Sequence, residues 1–320
     1  MLQSPYRKEW YVGACIAKGF LGTPIGSRIP TITEYAEEFS CSRGIVQNAL
    51  ADLEEQKVIL LERLGKRGTY LVSKEDDQLF RCSGLSHLTA SMPPPINRHF
   101  AGLATGICQG MGKCPVPFTF AFVQGSKNRV QSLISGAYDF VVITRYSAEL
   151  YCKQHPEIEI GFPFSKCEYA LPHKLYINRP GVRELQDGMT VAVDPSSLDQ
   201  IAVTRRICQG KQVKIREMPF VEALYAFYSG EIDSLVFRDG VGNENDNLLN
   251  LVMQKDMKIS ESQISEISLK DGDPAMEEAV ALIHRDNYGI RGILQNYLLG
   301  DQVGAIQKKV MDGTMLPRFY

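Results

Sequence analysis

The stretch PTITEYAEEFSCSRGIVQNALADLEEQKVI, residues 30–59, contains two short helical patterns separated by a polar break. Residues 33–39 predict a short helix. Ser42 is a good N-cap for a second helix that runs to about Gln56, because its hydroxyl can accept a backbone N–H. The apolar residues of this second helix recur at i, i+3, i+4 and i+7, which predicts that they share one buried face. They are Val46, Ala49, Leu50 and Leu53.

The opposite face of the second helix is polar. Arg43 pairs with Gln47, and Gly44 with Asn48, at the i, i+4 spacing that places side chains on the same side. An α-helix fits the major groove of DNA, where Arg suits guanine and Gln or Asn suits adenine. The helix pair alone leaves two interpretations open: a DNA-reading face, or the solvated face of a helical hairpin in a small α+β domain.

A basic hairpin follows the two helices. Residues 58–73, VILLERLGKRGTYLVS, predict two strands around a glycine-rich tip at 64–68. We expect Lys66 and Arg67 at this tip to contact phosphates or the minor groove. Residues 1–74 carry 10 Lys and Arg against 8 Asp and Glu, whereas the remainder carries 25 against 29, so the weak basic excess lies in this part.

From about residue 6 to residue 73 the sequence resembles the winged helix-turn-helix of GntR-type bacterial transcription regulators. The residues that carry the resemblance are Gly26, Ser27, Arg28, Pro30, Glu34, Ala36, Ser42, Arg43, Ala49, Leu50, Leu53, Gly65, Gly68 and Thr69. It implies a double-stranded DNA operator as partner, and a homodimer. Members of that family often have arginine where Thr33 and Gln47 stand here, so we expect fewer guanine contacts and an operator richer in A·T pairs.

The exposed face, the hairpin tip and the resemblance together select a set of candidate DNA-contacting residues. They are Arg28, Ser42, Arg43, Gly44, Gln47, Asn48, Lys66, Arg67 and Gly68.

From about residue 80, strand and helix patterns alternate, which predicts βαβ units and a mostly parallel sheet. Two similar βαβαβ runs predict two lobes, with the chain crossing near 170–178 and returning near 279–284. The predicted division is a winged helix-turn-helix domain at 1–74, a charged linker at 75–81 and a two-lobed α/β domain at 82–320. Lobe one would take about 82–170 and 285–320, and lobe two about 175–278.

The lobe pattern resembles the type 2 periplasmic-binding-protein fold, most clearly in RVQSLISGAYDFVVI (129–143) and ALYAFYSGEIDSLVF (223–237). The combination with a GntR-like N-terminus is similar to YhfZ-like regulators, which the helix at 96–114 most resembles. This resemblance implies transcription regulation and leaves the effector open. The expected fold class is therefore α/β, with an N-terminal winged helix-turn-helix and a two-lobed effector domain.

Parallel α/β lobes bind ligands outside the carboxyl ends of their strands. Ser196 and Ser197 stand at a predicted helix N-terminus that could hold an anion, and Arg145 and Arg238 could each grip a carboxylate or phosphate. As alternatives, Ser126, Ser196 and Ser197 could be helix caps only, and Arg238 could form a surface pair with Asp239. The candidate ligand-binding residues are Ser91, Met92, Asn97, Ser126, Asn128, Thr144, Arg145, Ser196, Ser197, Asp199, Arg238 and Asp239.

Other function classes have weaker support in the sequence. An enzyme acting on a small ligand in the two-lobed domain is the main alternative, but no catalytic residue, metal ligand or cofactor motif stands out. His173 is expected to be a partly buried hinge residue. The row Gly102, Gly106 and Gly110 predicts close packing against the sheet.

The 8 cysteines form no C-x-x-C pair and read as reduced thiols. The charged start of the chain lacks the apolar run of a signal peptide, which disfavours a solute-capture protein. No segment approaches 18 continuous apolar residues, so no membrane span is expected. Together these features predict a cytoplasmic location.

Overall fold

The computed structural model describes residues 5–169, 172–238, 263–269 and 273–319. The helices are α1 (Pro5–Leu21), α2 (Ile32–Glu38), α3 (Arg43–Glu55), α4 (Asp76–Cys82), α5 (Arg98–Met111), α6 (Ser126–Ile134), α7 (Arg145–Gln154), α8 (Leu198–Cys208), α9 (Phe220–Ser229), α10 (Ile290–Tyr297) and α11 (Gly300–Met311). The strands are β1 (Ile59–Arg63), β2 (Thr69–Lys74), β3 (Leu88–Met92), β4 (Phe118–Phe122), β5 (Phe140–Thr144), β6 (Ile158–Glu168), β7 (His173–Ile177), β8 (Thr190–Val193), β9 (Lys214–Glu217), β10 (Ser234–Arg238), β11 (Ser265–Ser268) and β12 (Glu278–His284).

The N-terminal helices begin at side-chain caps. Thr31 and Glu34 form a reciprocal capping box at the start of α2. The Ser42 hydroxyl accepts a hydrogen bond from the Ile45 N–H at 3.4 Å, so the predicted N-cap of α3 is confirmed. The predicted buried face of α3 is also confirmed, because Val46, Ala49, Leu50 and Leu53 are all buried. Strands β1 and β2 then pair as an antiparallel hairpin, with a short 3₁₀ turn at Gly65–Arg67.

Two five-stranded sheets follow. The first has the strand order β4-β3-β5-β12-β6, and the second has the order β11-β7-β10-β8-β9. Within each sheet three strands run parallel, as predicted from the alternation of strands and helices. Both sheets are mixed, because β12 runs antiparallel to β5 and β7 runs antiparallel to β10. The α/β fold class is therefore confirmed.

Three local features differ from the expectations. Helix α4 covers most of the charged stretch at 75–81 that was expected to be a linker, because its residue Leu79 is buried. Helix α7 begins at Arg145, which was expected to lie in a loop. The glycine row packs against α11 rather than the sheet: a Cβ on Gly102 or Gly106 would lie 2.8 Å from atoms of Gln307 or Val303.

The N-terminal domain shares its core with the first sheet. One continuous apolar cluster contains Val12 of α1, Leu50 of α3, Leu88 of β3 and Ile293 of α10. At the junction, a Cβ on Gly22 would lie 2.1 Å from the backbone carbon of Gly292, so the two backbones touch. Buried apolar contact of this kind makes the N-terminal domain and the first sheet one packed body.

The same junction is reinforced by aromatic and polar contacts. The rings of Phe39 and Tyr288 meet edge to face, with their centroids 4.8 Å apart. Lys18 donates a hydrogen bond to the Asn287 side chain, and Asn287 in turn donates to Asp139 at 2.9 Å. Burial of the Lys18 amine at this junction lowers its pKa.

Candidate functional site

A cavity of about 90 Å³ lies between the two sheets. It is lined by the carboxyl ends of parallel strands and by the helices that follow them, the location at which α/β sheets bind ligands. Tyr169, directly after β6, and His173, at the start of β7, also line it. A space of this size admits several water molecules or one small ligand.

Asp199 of α8 joins the two sheets at the wall of this cavity. Its Oδ1 accepts hydrogen bonds from Thr144 Oγ1 at 2.9 Å and from Ser147 Oγ at 2.6 Å, both of which belong to the first sheet's side. Its Oδ2 accepts a hydrogen bond from Arg238 at 2.8 Å. The Arg238 and Asp199 side chains are each 9% exposed, so this is a buried ion pair. The sheets are therefore held together in a closed arrangement.

A second contact between the two sheets involves Ser126 and Ser196. Ser126 Oγ donates a hydrogen bond to the carbonyl oxygen of Ser196 at 3.3 Å, and the Lys127 N–H donates to the same carbonyl at 3.0 Å. Gly125 has φ +82°, and a Cβ there would lie 2.1 Å from Ser196 Oγ. Glycine is required here both by the positive φ and by the close approach of the second sheet's loop.

Arg129 of α6 enters the cavity from the first sheet. It donates to the carbonyl oxygen of Val123 at 2.7 Å and to the Tyr169 hydroxyl at 3.1 Å. Burial raises the pKa of Tyr169, so this phenol stays protonated. The Arg238 guanidinium lies 5.8 Å from the centre of the Tyr169 ring. Tyr169 thus touches both cavity arginines at the point where the chain leaves the first sheet.

His173 and Asp194 enter from the second sheet. Burial, together with the nearby charges of Arg238 and Arg206, holds the pKa of His173 well below its usual range, so the imidazole is neutral at pH 7. Asp194 follows β8 and accepts hydrogen bonds from the Ser196 N–H at 2.8 Å and the Ser196 hydroxyl at 2.6 Å. Ser197 caps α8 by accepting from the Gln200 N–H.

The structure brings part of the predicted ligand-binding set together. The predicted residues that line the cavity are Asn97, Ser126, Thr144, Ser197, Asp199 and Arg238. Asn97 and Thr144 also cap α5 and α7. Ser197 caps α8, so the helix-cap role proposed for the serines is observed at this residue.

Other predicted ligand-binding residues lie elsewhere. Met92 and Ser91 are fully buried in the first sheet, and Asn128 is exposed and donates to the carbonyl oxygen of Gln124. Arg145 pairs with Glu278 outside the cavity lining, because α7 directs its side chain towards β12. Ser196 is held by Asp194, and Asp239 lies outside the described residues.

The polar lining residues that were absent from the predicted ligand-binding set are Gln124, Arg129, Ser147, Tyr169, His173, Asp194 and Gln200. Asp194 had a signal, since it directly follows a predicted parallel strand. The signal for Arg129 was weaker: this residue is next to Val130, which lies on the buried face of α6.

The surface predicted to contact DNA is open to solvent. The N-cap Ser42 and the α3 residues Arg43, Gly44, Gln47 and Asn48 are exposed, and so are Lys66 and Arg67 at the hairpin tip. Arg28 is exposed too, and a Cβ on Gly68 would lie 2.5 Å from its Nε, so Gly68 lets Arg28 lie against the hairpin. These exposed side chains are polar or basic, and all of them belong to the N-terminal domain.

Among the residues that the structure describes, no helix is both long and apolar enough to span a membrane. Within the same ranges, no group of His, Cys, Asp or Glu side chains could hold a metal ion.

The fold and the site define a class of protein: a helix-turn-helix domain joined to an α/β domain with a cavity between two mixed sheets. A family model described as a helix-turn-helix domain matches residues 24–71. A second model, described as the YhfZ C-terminal domain, matches residues 75–319. The chain therefore belongs to the YhfZ family.

Two relatives carry the YhfZ name. YhfZ of Escherichia coli (strain K12) is 28% identical over 314 residues, which cover 98% of each chain. The crystal structure of YhfZ from Shigella flexneri superposes with a TM-score of 0.58 at 25% identity, covering 76% of this chain and 97% of that one. These matches support a helix-turn-helix regulator resembling YhfZ.

The α/β domain is also similar to a binding protein. The alkanesulfonate-binding protein SsuA from Xanthomonas axonopodis pv. citri, bound to MOPS, superposes with a TM-score of 0.50 at 13% identity, covering 72% of this chain and 79% of that one. At this identity the similarity concerns the fold alone, and it agrees with the expected periplasmic-binding-protein-like architecture.

Proposed function

We propose that this protein is a transcription regulator that binds a double-stranded DNA operator and is controlled by a small polar metabolite bound between the two sheets. The observation that carries the proposal is the exposed face of α3, which presents Arg43, Gly44, Gln47 and Asn48 opposite its buried stripe. Such a helix would lie in the major groove, where arginine and amide side chains distinguish base edges.

The hairpin would supply a second contact. Lys66 and Arg67 at its exposed tip, together with Arg28 beside Gly68, would hold phosphates or enter the minor groove. This arrangement supports assignment of the N-terminal domain to the GntR type, with a domain boundary near residue 74. Regulators of that type act as homodimers, and we propose the same here, with half-sites separated by whole helical turns.

Effector control would operate through the shared core. Because the N-terminal domain is packed on the first sheet, it would move with that sheet when the cavity opens or closes. The second sheet would move relative to both. A metabolite that favours the closed arrangement would then change the geometry in which two copies present their recognition helices.

The alternative function is an enzyme acting on the ligand of the cavity. One observation favours it: His173 is a neutral imidazole at the cavity wall, as a general base must be. Against it, the structure describes no hydrogen bond between His173 and a serine, threonine or cysteine that could serve as nucleophile.

The test of the proposal is DNA binding by the full chain, measured with DNA from around its own gene across a salt titration. We expect a sequence-specific footprint and an affinity that falls steeply with salt, because phosphate contacts release counterions. Arg43→Ala should weaken specific binding, whereas Lys153→Ala, an exposed change on α7, should not. Wild-type binding with no sequence preference, unchanged by Arg43→Ala, would refute the regulator.

A further inference from the structure

The charged side chains that line the described cavity are two arginines and two aspartates: Arg129, Arg238, Asp194 and Asp199. Arg238 and Asp199 form a buried ion pair with a hydrogen bond of 2.8 Å, so their charges compensate each other. Arg129 and Asp194 remain, and the structure describes no ion pair between them. The cavity therefore presents one positive and one negative charge, each without a protein counter-ion in the described part of the chain.

Arg129 is 3% exposed, yet its hydrogen bonds go to two neutral oxygens, the Val123 carbonyl and the Tyr169 hydroxyl. Its Nε is buried and has no hydrogen-bond partner among the described residues. A buried guanidinium that lacks an anion is unfavourable, because burial removes the solvation of its charge. The fixed fork of Arg129 thus lacks the carboxylate-like partner that its planar geometry suits.

Asp194 shows the complementary deficit. It is 2% exposed, and its Oδ1 accepts both hydrogen bonds from Ser196. Its Oδ2 is buried and has no partner among the described residues. Unpaired buried polar atoms are rare in native proteins and commonly mark the position of a missing ligand, ion or water.

Arg129 and Asp194, the two residues with an unpaired polar atom, line the same cavity from different sheets. A simple anion bound at Arg129 would be repelled by Asp194, and a simple cation bound at Asp194 would be repelled by Arg129. A ligand that carries both charges would satisfy both groups at once. Phe100 and Phe220 add apolar wall to the cavity, which leaves room for a short apolar group between the charged ends.

We propose that the effector is a zwitterion of amino-acid size, with its carboxylate against Arg129 and its ammonium group against Asp194. This inference rests on the proposed effector site and specifies the chemistry of the molecule that fills it. Arg129 lies on α6, beside the first sheet, and Asp194 follows β8 of the second sheet. A ligand bound to both would therefore bridge the two sheets and stabilise the closed arrangement.

The test uses thermal unfolding and calorimetric titration of the full chain. The probes are the common protein amino acids and, for the best binder, its amide, which is only cationic, its N-acetyl derivative, which is only anionic, and inorganic phosphate. We expect at least one free amino acid to raise the unfolding temperature, and each single-charge analogue to bind at least about tenfold more weakly, a difference of about 1.4 kcal/mol.

Charge-removing variants give a second, directional readout. Asp194→Asn keeps an oxygen that can accept from Ser196 but removes the negative charge. It should therefore weaken amino-acid binding and reduce the ratio of the affinity for the amino acid to the affinity for the N-acetyl derivative. Arg129→Met should instead reduce the ratio of the affinity for the amino acid to the affinity for the amide. Glu222→Gln, an exposed change on α9, should leave all affinities unchanged. If a variant does not fold, the selectivity of the wild-type protein alone decides.

The proposal of a zwitterionic effector would be overturned if phosphate, the N-acetyl derivative or the amide bound as tightly as the amino acid. It would also be overturned if none of the amino acids bound. Failure of the regulator is detected separately by the DNA footprint. Binding of an amino acid without binding of DNA would support the zwitterionic ligand and contradict the proposed role as a regulator. A chain that binds its operator but no amino acid does the reverse.

Discussion

Thr144 donates a hydrogen bond to Asp199 across the boundary between the two sheets, with Oγ1 and Oδ1 2.9 Å apart. Thr144 ends β5 of the first sheet and caps α7, whereas Asp199 lies in the first turn of α8 beside the second sheet. The carboxylate also neutralises Arg238. A single buried group therefore holds the sheets together and compensates the charge of a cavity arginine, and its loss should affect both properties.

Asp199→Asn should lower the free energy of unfolding by about 3 kcal/mol, because it leaves Arg238 buried without its counter-ion. Urea denaturation at pH 7 measures the change. Glu184→Gln is the matched control, since Glu184 pairs with Lys211 at the surface, where ion pairs contribute little. Equal midpoints for Asp199→Asn and the control would contradict the assignment of a buried pair.

Gly125→Ala should keep the sheets apart. The new Cβ would lie 2.1 Å from Ser196 Oγ in the closed arrangement, so the loop of the second sheet must move away. Gly136→Ala is the control. Gly125 precedes α6 and Gly136 follows it, and Gly136 has φ +77°, but a Cβ added to Gly136 would have nothing within 4 Å. Both changes cost about 1–3 kcal/mol in backbone strain.

Small-angle scattering separates the two glycine variants. Only Gly125→Ala should increase the radius of gyration relative to wild type. The same increase for Gly136→Ala would show that strain at a positive φ, rather than the contact with Ser196, opens the molecule.

Gly22→Ala should disrupt the junction between the N-terminal domain and the first sheet. The added Cβ would overlap the backbone of Gly292, and overpacking of this kind costs about 1–3 kcal/mol. Gly13→Ala, within α1, is the control, because its Cβ would meet Ala49 at an ordinary 4.0 Å and alanine favours helix by about 1 kcal/mol. Calorimetry should show a lower unfolding temperature for Gly22→Ala only; no decrease would argue against close backbone contact.

Protonation of His173 should destabilise the fold in acid. Its folded-state pKa is lowered by burial and by Arg238, so below the ordinary value of about 6.5 the unfolded state binds the extra proton. The contribution of this group is complete above that pH and falls by about 1.4 kcal/mol per pH unit below it. The measurement is the free energy of unfolding of wild type and His173→Gln between pH 5 and 8.

The two pH profiles contain the same other titrating groups, so their difference reports on residue 173. A flatter acid limb for His173→Gln is the expected result. Parallel profiles would mean that His173 already carries a proton, or is solvated, in the folded state.

Lys66→Ala and Arg67→Ala should each reduce the slope of log affinity against log salt by about one if these side chains bind phosphates. Specificity should change little, since phosphate contacts carry no direct sequence information. Fluorescence anisotropy with labelled operator DNA at several salt concentrations gives the slope. An unchanged slope for both variants would remove the hairpin tip from the DNA contact.

Much of the fold follows from local sequence patterns. The buried stripe of α3 and the strand–helix alternation of both sheets arise from short-range periodicity, which the sequence displays directly. Strand β6 was harder to predict, because Gly161 and Pro163 interrupt it and its partner β12 is more than a hundred residues away. Helix α4 was obscured by its charged first turn, which suggested a linker.

The cavity was only partly predictable for a similar reason. Rules about strand ends select Thr144, Ser197 and Arg238, but they cannot tell which side chains find partners elsewhere. Arg145 was expected to grip a ligand, and Glu278, which the chain reaches much later, pairs with it instead. Arg129 is buried and donates a hydrogen bond to Tyr169, forty residues further along, so no local pattern reveals this contact.

The order of synthesis gives the shared core a further consequence. The residues that cover α1 and α2, including Tyr288, Gly292 and Ile293, are synthesised long after the residues against which they pack. A chain that stops before residue 285 would contain α3 but not the surface on which the N-terminal domain rests. Termination before that residue should therefore yield unstable fragments rather than free, folded N-terminal domains.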